Sequence, residues 1–480
     1  MADTHGEDES RRPNVIVILT DDQGFNDLGV QGSRLIRTPY IDRMAAEGMR
    51  LTNFHAQPVC GPSRAALLTG CHPQRIGQIQ NMRIGVGGGH PLLHPKETTI
   101  AEILNQQGYR TAMIGKWHLG MTDGSSPTEK GFDSFLGTPG SNDGPWVDIE
   151  KLEFADGVDR NAISLVYPSV PLIRDQTVVE FPLIQDGITT RYTDEAMRFV
   201  RSAHQADRPF FLYLAHNAPH IPLRPSSQFR GKSDYGLYGD SVEELDWNTG
   251  RILDLLRELQ ISENTLVVYT SDNGPWARPE LVAERLAGSA WPLRGGKVTS
   301  WEGGFRVPFV AWMPGTIPAG HVSDEFCTTL DIMPTVAGMT GAVMPSDRKI
   351  DGHDVTSILT SVPETNTPYE TFPFYVCRHL QAVKWKDWKL VLARPSKPEL
   401  MMPLWASHFE QVEEPQLYYL KTDIGENTDV SARYPDIVDQ MLGIADAYRS
   451  ELGDGARIGD GERFWEAEPE PGAVVVNGPF

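Results

Sequence analysis

The sequence predicts an α/β fold: a large, mostly parallel sheet sandwiched by helices, then a smaller C-terminal domain of antiparallel strands and a helix. Three observations predict it. Short β-branched apolar runs recur along most of the chain, and stretches with helical periodicity separate them. Continuous apolar strands alternating with helices belong to sheets covered on both faces. Near residue 360 the texture changes to Pro- and Thr-rich sequence and then to two-residue alternation, the mark of hairpins. The length, 480 residues, also exceeds a usual single core, so one large domain plus a smaller one is expected.

The elements follow in order. Asn14 to Leu19 (NVIVIL) is the first buried strand. The amphipathic stretch Ile100 to Gly108 leads into a strand from Tyr109 to Ile114. A helix over Thr193 to His204 precedes a strand over Phe210 to Ala215, and a helix around Leu245 to Leu259 precedes one over Leu266 to Thr270. Arg306 to Trp312 follows a Gly-rich stretch at 295 to 304. Ser361 to Pro373 reads as a linker. Beyond it come hairpin strands in Gln381 to Leu392, a short strand at Gln416 to Leu420 and a helix over Pro435 to Leu452. The expected domains are therefore 12–360 and 374–465, with flexible ends at 1–11 and 466–480.

Composition bounds the partners. A formal net charge of -21 argues against nucleic acid and anionic membrane. An anionic substrate would need a local cluster of cations. The four cysteines, Cys60, Cys71, Cys327 and Cys377, form no CxxC pair and are too few for a disulfide framework. No apolar segment is long enough for a bilayer, no signal-type h-region precedes Arg11, and there is no N-x-Ser/Thr site. As it stands the sequence predicts a cytoplasmic protein; a periplasmic or secreted one that had lost a signal peptide would show the same residues.

In parallel sheets, ligands gather at the carboxyl ends of the strands. There this chain places Asp21-Asp22-Gln23-Gly24, Lys116-Trp117-His118, His216-Asn217-Ala218-Pro219-His220 and Asp272-Asn273-Gly274. Asp21, Asp22, Asp272 and Asn273 are hard oxygen donors suited to calcium, or to magnesium; the set holds no Cys or His to favour zinc. Either motif alone is explained by turn chemistry. Two of them, each just past a strand, point to a metal. Cys60 stands just before a predicted helix start at Pro62, where an anion or a thiolate is favoured, although an isolated Cys is more commonly an inert core residue. Gly85 to Gly89 (GVGGG) lacks the context of a phosphate cradle and reads as a flexible loop.

The segment CGPSRAALLTG from Cys60 to Gly70 resembles the sulfatase signature C-x-P-S-R-x-x-x-L-T-G. GKWHLG, the Ala218-Pro219-His220 box, SDNG, LRGGKVTSWEGGFRVP, FLGTPGSND and the C-terminal PQLYYLKTDIGENTDVS resemble that family's other motifs, in its order, from about residue 12 to about residue 450. The resemblance implies an alkaline-phosphatase-like fold and a sulfuric ester hydrolase of the arylsulfatase type. Its substrate would be a sulfated small molecule or saccharide. A formylglycine-generating maturation enzyme would convert Cys60 to formylglycine. Asp21, Asp22, Asp272 and Asn273, with the modified Cys60, would hold calcium. Arg64 and Lys116 would stabilise the hydrated aldehyde, His118 would deprotonate its second hydroxyl, and Lys297 and His220 would contact the ester and assist the leaving oxygen. Ser141 matches the family's sulfate-binding Ser.

Physical chemistry agrees with that carry-over. After sulfation a geminal diol keeps a hydroxyl that expels sulfate by elimination, so no water need attack sulfur. Fixed cations favour oxygens that gain charge in the transition state. In isolation, Lys116 and Lys297 would read as surface lysines, and His216 competes with His220. Two alternatives share the fold logic: a phosphodiesterase or phosphonate monoester hydrolase, against which the intact CGPSR argues, and a non-catalytic sulfoglycan binder, which would have lost a ligand. A carbohydrate O-sulfate is the first expectation for the substrate and an aryl sulfate the second. Trp146, Trp276, Trp291 and Arg378-His379 are candidate specificity residues. Cys71, Cys327 and Cys377 read as packing residues.

Overall fold

The computed structural model describes residues 12–77, 93–122, 124–144, 149–276, 279–363, 365–394, 410–455 and 457–463. The expected flexible ends, the GVGGG loop and Trp146 lie outside the described residues.

Six strands form the centre: β1 (Asn14–Thr20), β2 (Arg110–Lys116), β3 (Ser134–Thr138), β4 (Phe210–Ala215), β5 (Thr265–Ser271) and β6 (Phe309–Trp312). Their spatial order is β6-β5-β1-β4-β2-β3 within an 11-stranded sheet. The first five run parallel, and β6 is antiparallel to β5. All seven residues of β1 are buried. Val15, Val17 and Leu19 point into one apolar layer and Ile16 and Ile18 into the other, so the strand is apolar throughout because both faces are covered. Helix α1 (Cys60–Thr69) packs in the first layer. Helices α2 (Ile188–Gln205) and α3 (Gly236–Glu258) pack in the second.

Helix α1 begins at Cys60 itself, two residues earlier than Pro62 implied, and all ten of its residues are buried. Gly70 ends it in the left-handed conformation (φ 65) and donates its N–H to Ala66 O at 2.9 Å, as its position predicted. Helix α4 (Glu302–Phe305) is a single turn just before β6.

Four antiparallel strands, β7 (Thr371–Val376), β8 (His379–Trp385), β9 (Trp388–Val391) and β10 (Gln416–Tyr419), make the small sheet in that order. One face packs Phe372, Phe374, Ala382 and Tyr418 against Ala66, Trp301 and Phe305. The other packs Val383, Leu390 and Leu417 against Met441 and Ala445 of helix α5 (Pro435–Leu452). Strand β7 starts inside the stretch predicted as a linker. Its Pro373 lacks an N–H, which an edge strand tolerates, and β7 is an edge. No helix among the described residues is long and apolar enough to cross a membrane.

Gly115 lets two strand ends lie close. It sits on β2 at φ 110, opposite Ala215 of β4, and a Cβ there would lie 1.8 Å from Ala215 O. Gly115→Ala is therefore expected to cost about 1–3 kcal/mol for the backbone conformation alone, with the clash in addition. Chemical denaturation should show the loss, and activity should fall with it because Lys116 is the next residue.

Candidate active site

Register brings the first carboxylates together. Thr20 of β1 pairs with Ser271 of β5, so Asp21 and Asp272 leave adjacent strands at the same level. Asp22 then turns back at φ 65, and its N–H donates to Asp272 Oδ1 at 3.3 Å. Asn273 Nδ2 donates to Asp22 Oδ1 at 2.7 Å. Strand β2 ends on Lys116, and His118 lies two residues on, at φ 61. Non-glycine residues in this conformation carry strain and cluster at functional sites.

Each cation of the cluster faces a carboxylate. Arg64 reaches from α1 to Asp272 Oδ2 with Nε at 3.1 Å and Nη2 at 2.8 Å, and its Nη1 donates to Lys116 O. Lys116 Nζ lies 2.7 Å from Asp21 Oδ2. Lys297 Nζ lies 2.6 Å from Asp22 Oδ1 and 3.4 Å from Cys60 Sγ. His220 Nε2 is 3.6 Å from Asp22 Oδ2, and Ser141 Oγ is 3.5 Å from His220 Nδ1. All of these side chains are buried.

Burial and neighbouring charge set the protonation states. Burial pushes the Asp21 carboxyl up, but Lys116, His220, Arg64 and Lys297 overcome it and hold it below the usual carboxylate range. Burial, reinforced by the charge of Asp21, pushes Asp272 up to about 7. Burial lowers the affinity of Lys297 for its proton, yet Asp22 and the other acidic neighbours win and raise it. His118 is driven well below the ordinary histidine value by burial and then by Lys116 and Arg64. The Cys60 thiol is pushed up to about 11, because burial outweighs Lys116 and Lys297.

The oxygen donors fit a divalent cation. Asp21 Oδ1 and Asn273 Oδ1 are buried and have no hydrogen-bond partner, a costly state for oxygens that a metal would relieve. Asp21, Cys60 and Asp272 each offer a ligand atom within 4.8 Å of the others, and so do Asp21, Asp22 and His220.

Thus the sequence-derived residues Asp21, Asp22, Cys60, Arg64, Lys116, His118, Ser141, His220, Asp272, Asn273 and Lys297 occupy one buried cluster. His216 stands apart, its ring 6.4 Å from that of Tyr192, with burial lowering its pKa to about 3. Of the specificity candidates, Trp276 adjoins the cluster, its ring 5.2 Å from Lys297 Nζ. Trp291 is 69% exposed. Arg378 pairs with Glu462, and His379 lies 3.9 Å from Asp454. Cys71, Cys327 and Cys377 are free and buried. Sequence reasoning missed a buried ion network of His55, Glu302, Lys389 and Glu426 beside the Lys297 loop. The only signal was the place of Glu302 in LRGGKVTSWEGGFRVP.

Comparison with known proteins gives the family. Over 92% of its length the chain is 34% identical to steryl-sulfatase of Mus musculus, covering 83% of that protein. It is 40% identical to N-acetylgalactosamine-6-sulfatase of Canis lupus familiaris over 74% of its length and 67% of the relative's. A sulfatase from Pseudoalteromonas sp., known from its crystal structure, superposes with a TM-score of 0.77 at 28% identity, covering 94% of this chain and 93% of that one. The Sulfatase family profile matches residues 13–342. With the signature at Cys60 set among these carboxylates and cations, the chain belongs to the sulfatase family and is a sulfuric ester hydrolase.

Proposed function

We propose that this sulfatase hydrolyses a carbohydrate O-sulfate with formylglycine made from Cys60 and a calcium ion held by Asp21, Asp22, Asp272 and Asn273. The observation that carries the reading is the place of Cys60: first residue of α1, buried, 3.4 Å from Lys297 Nζ and beside Asp21 and Asp272. A thiol whose pKa is pushed to about 11 stays protonated at neutral pH and is a poor nucleophile. An oxygen function at that position removes the difficulty.

When bound, the divalent cation supplies a Lewis acid and the excess positive charge that Arg64, Lys116 and Lys297, each matched by a carboxylate, do not. Lys116 and Arg64 fix the carboxylates and border the nucleophile. Lys297 keeps its proton and points it at Cys60. His118, held neutral, can accept a proton. His220 Nδ1 donates to Ile221 O at 2.5 Å, which leaves Nε2 as the atom that carries or releases a proton toward the ester. Ser141 borders the same ring.

A saccharide is supported by the Trp276 ring beside Lys297 and by the similarity to an N-acetylgalactosamine-6-sulfatase. A second reading, a more apolar alcohol such as an aryl or steryl sulfate, is favoured by the loop bearing Ile163 (88% exposed) and Leu165 (102% exposed). Arg224, four residues past His220, donates to Val166 O at 2.7 Å and so joins that loop to the His220 segment. Release of sulfate from defined sulfated mono- and oligosaccharides, compared with aryl and steryl sulfates, decides between them. Peptide mass spectrometry of the active enzyme should show the Cys60 thiol replaced by an aldehyde.

Elemental analysis should return stoichiometric calcium, and a chelator should lower the thermal midpoint until calcium is restored, since a ligand bound only by the native state stabilises it. Asp22→Ala should cost far more activity than stability. Stoichiometric zinc, or a second metal, would favour the phosphodiesterase or phosphonate hydrolase reading instead.

A further inference from the structure

Lys297 is carried by a loop, not by a strand end. Its N–H donates to Pro275 O at 2.8 Å, and that of Val298 to Pro58 O at 2.9 Å. Val298 adopts φ 70. A β-branched residue is a genuine outlier there, and such a conformation persists only where the surroundings enforce it.

Part of the enforcement comes from the C-terminal sheet and the residues that flank its strands. The buried Val298 side chain packs in a small apolar cluster with Val59, Val376 and Cys377. Val376 ends β7, so that strand presses on the neighbour of Lys297 and on the neighbour of Cys60 at once. A second clamp acts at Glu302, five residues after Lys297. Its carboxylate lies 2.9 Å from both His55 Nε2 and Lys389 Nζ, and its N–H donates to Glu426 Oε2 at 2.7 Å. Lys389 of β9 also lies 2.9 Å from Glu426 Oε1, and all four side chains are buried. The backbone of α4 passes the constraint on. Gly303 N–H donates to Arg294 O at 2.8 Å, and Gly304 O accepts from Gly274 N–H, next to Asn273, at 3.1 Å.

We propose that the C-terminal sheet is the positioning element for Lys297, acting through Val298 and Glu302, neither of which touches substrate. The inference rests on the proposed reading of Lys297 as a contact of the ester's leaving oxygen. Val298→Gly removes the side chain while leaving the left-handed backbone accessible. Val376→Ala weakens the same cluster from the sheet side. Both should be compared with Lys297→Ala, measuring kcat and KM on nitrophenyl sulfate and on a sulfate with a poor leaving group, normalised to the folded fraction from circular dichroism. In both cluster variants, kcat should fall by up to about 10²-fold on the poor leaving group and clearly less on nitrophenyl sulfate. Losses equal on the two substrates, or none, in variants that remain folded would overturn the inference while Lys297→Ala still discriminates between them. If Lys297→Ala also fails to discriminate, the reading of Lys297 falls and the inference with it.

Discussion

Cys60→Ala is expected to abolish multiple-turnover sulfate release, with a loss on the order of 10⁶ in kcat, the scale known for removal of a covalent nucleophile. The expectation follows from what remains. Arg64, Lys116, Lys297 and the carboxylates are still fixed by one another, so the variant should fold, load metal and bind ester with nothing to attack it. Cys60→Ser distinguishes the chemistry further. A serine ester has no second hydroxyl with which to expel sulfate, so the variant should be sulfated once and stop, a stoichiometric mass gain on the peptide bearing Ser at position 60. Full turnover by protein whose Cys60 is still a thiol would refute the formylglycine reading.

Lys297→Ala is expected to lower kcat by about 10²–10³, the cost of losing one donor to a developing oxyanion. Its ammonium is buried between Asp22 and Cys60, and at the roughly 8 Å Debye length of physiological salt the distant surface carboxylates are screened while this contact is not. The loss should appear in kcat as well as KM, because the leaving oxygen gains charge on the way to the transition state. It should shrink for acidic leaving groups such as nitrophenol. Asp22 keeps Asn273 and His220 nearby, so the fold should survive. A rise in KM alone, equal for good and poor leaving groups, would reduce Lys297 to a binding residue and leave His220 to assist departure.

Most of the candidate site was legible because its residues follow apolar strands, and a fully buried strand announces its own end. Asp21, Lys116 and Asp272 follow or close such runs, and the helix Pro435–Leu452 was bounded by its periodicity. What the sequence hid was contact across long separations. Nothing local says that Thr20 pairs with Ser271, or that Arg64 turns toward Asp272. Helix α3 begins at Gly236, ahead of the predicted Leu245, because its first turns bury polar groups. Asp240 accepts N–H bonds from Gly231, Lys232 and Ser233, so apolar periodicity is lost where burial continues. Lys389 was hidden by the opposite effect. An alternating strand reads as half solvated, yet this lysine is buried by its ion partners.

The core shared between the two sheets governs how the chain comes apart. Ala66, Trp301 and Phe305 lie in one apolar cluster with Phe372, Phe374 and Tyr418. Peeling the small sheet away would strip Glu302 of Lys389, and breaking a buried ion pair in this way costs about 3–5 kcal/mol before any apolar surface is counted. The two regions are therefore expected to melt together, and calorimetry should show a single transition. A fragment ending near residue 360 would be a partly opened chain with a naked apolar face, prone to aggregate and devoid of turnover.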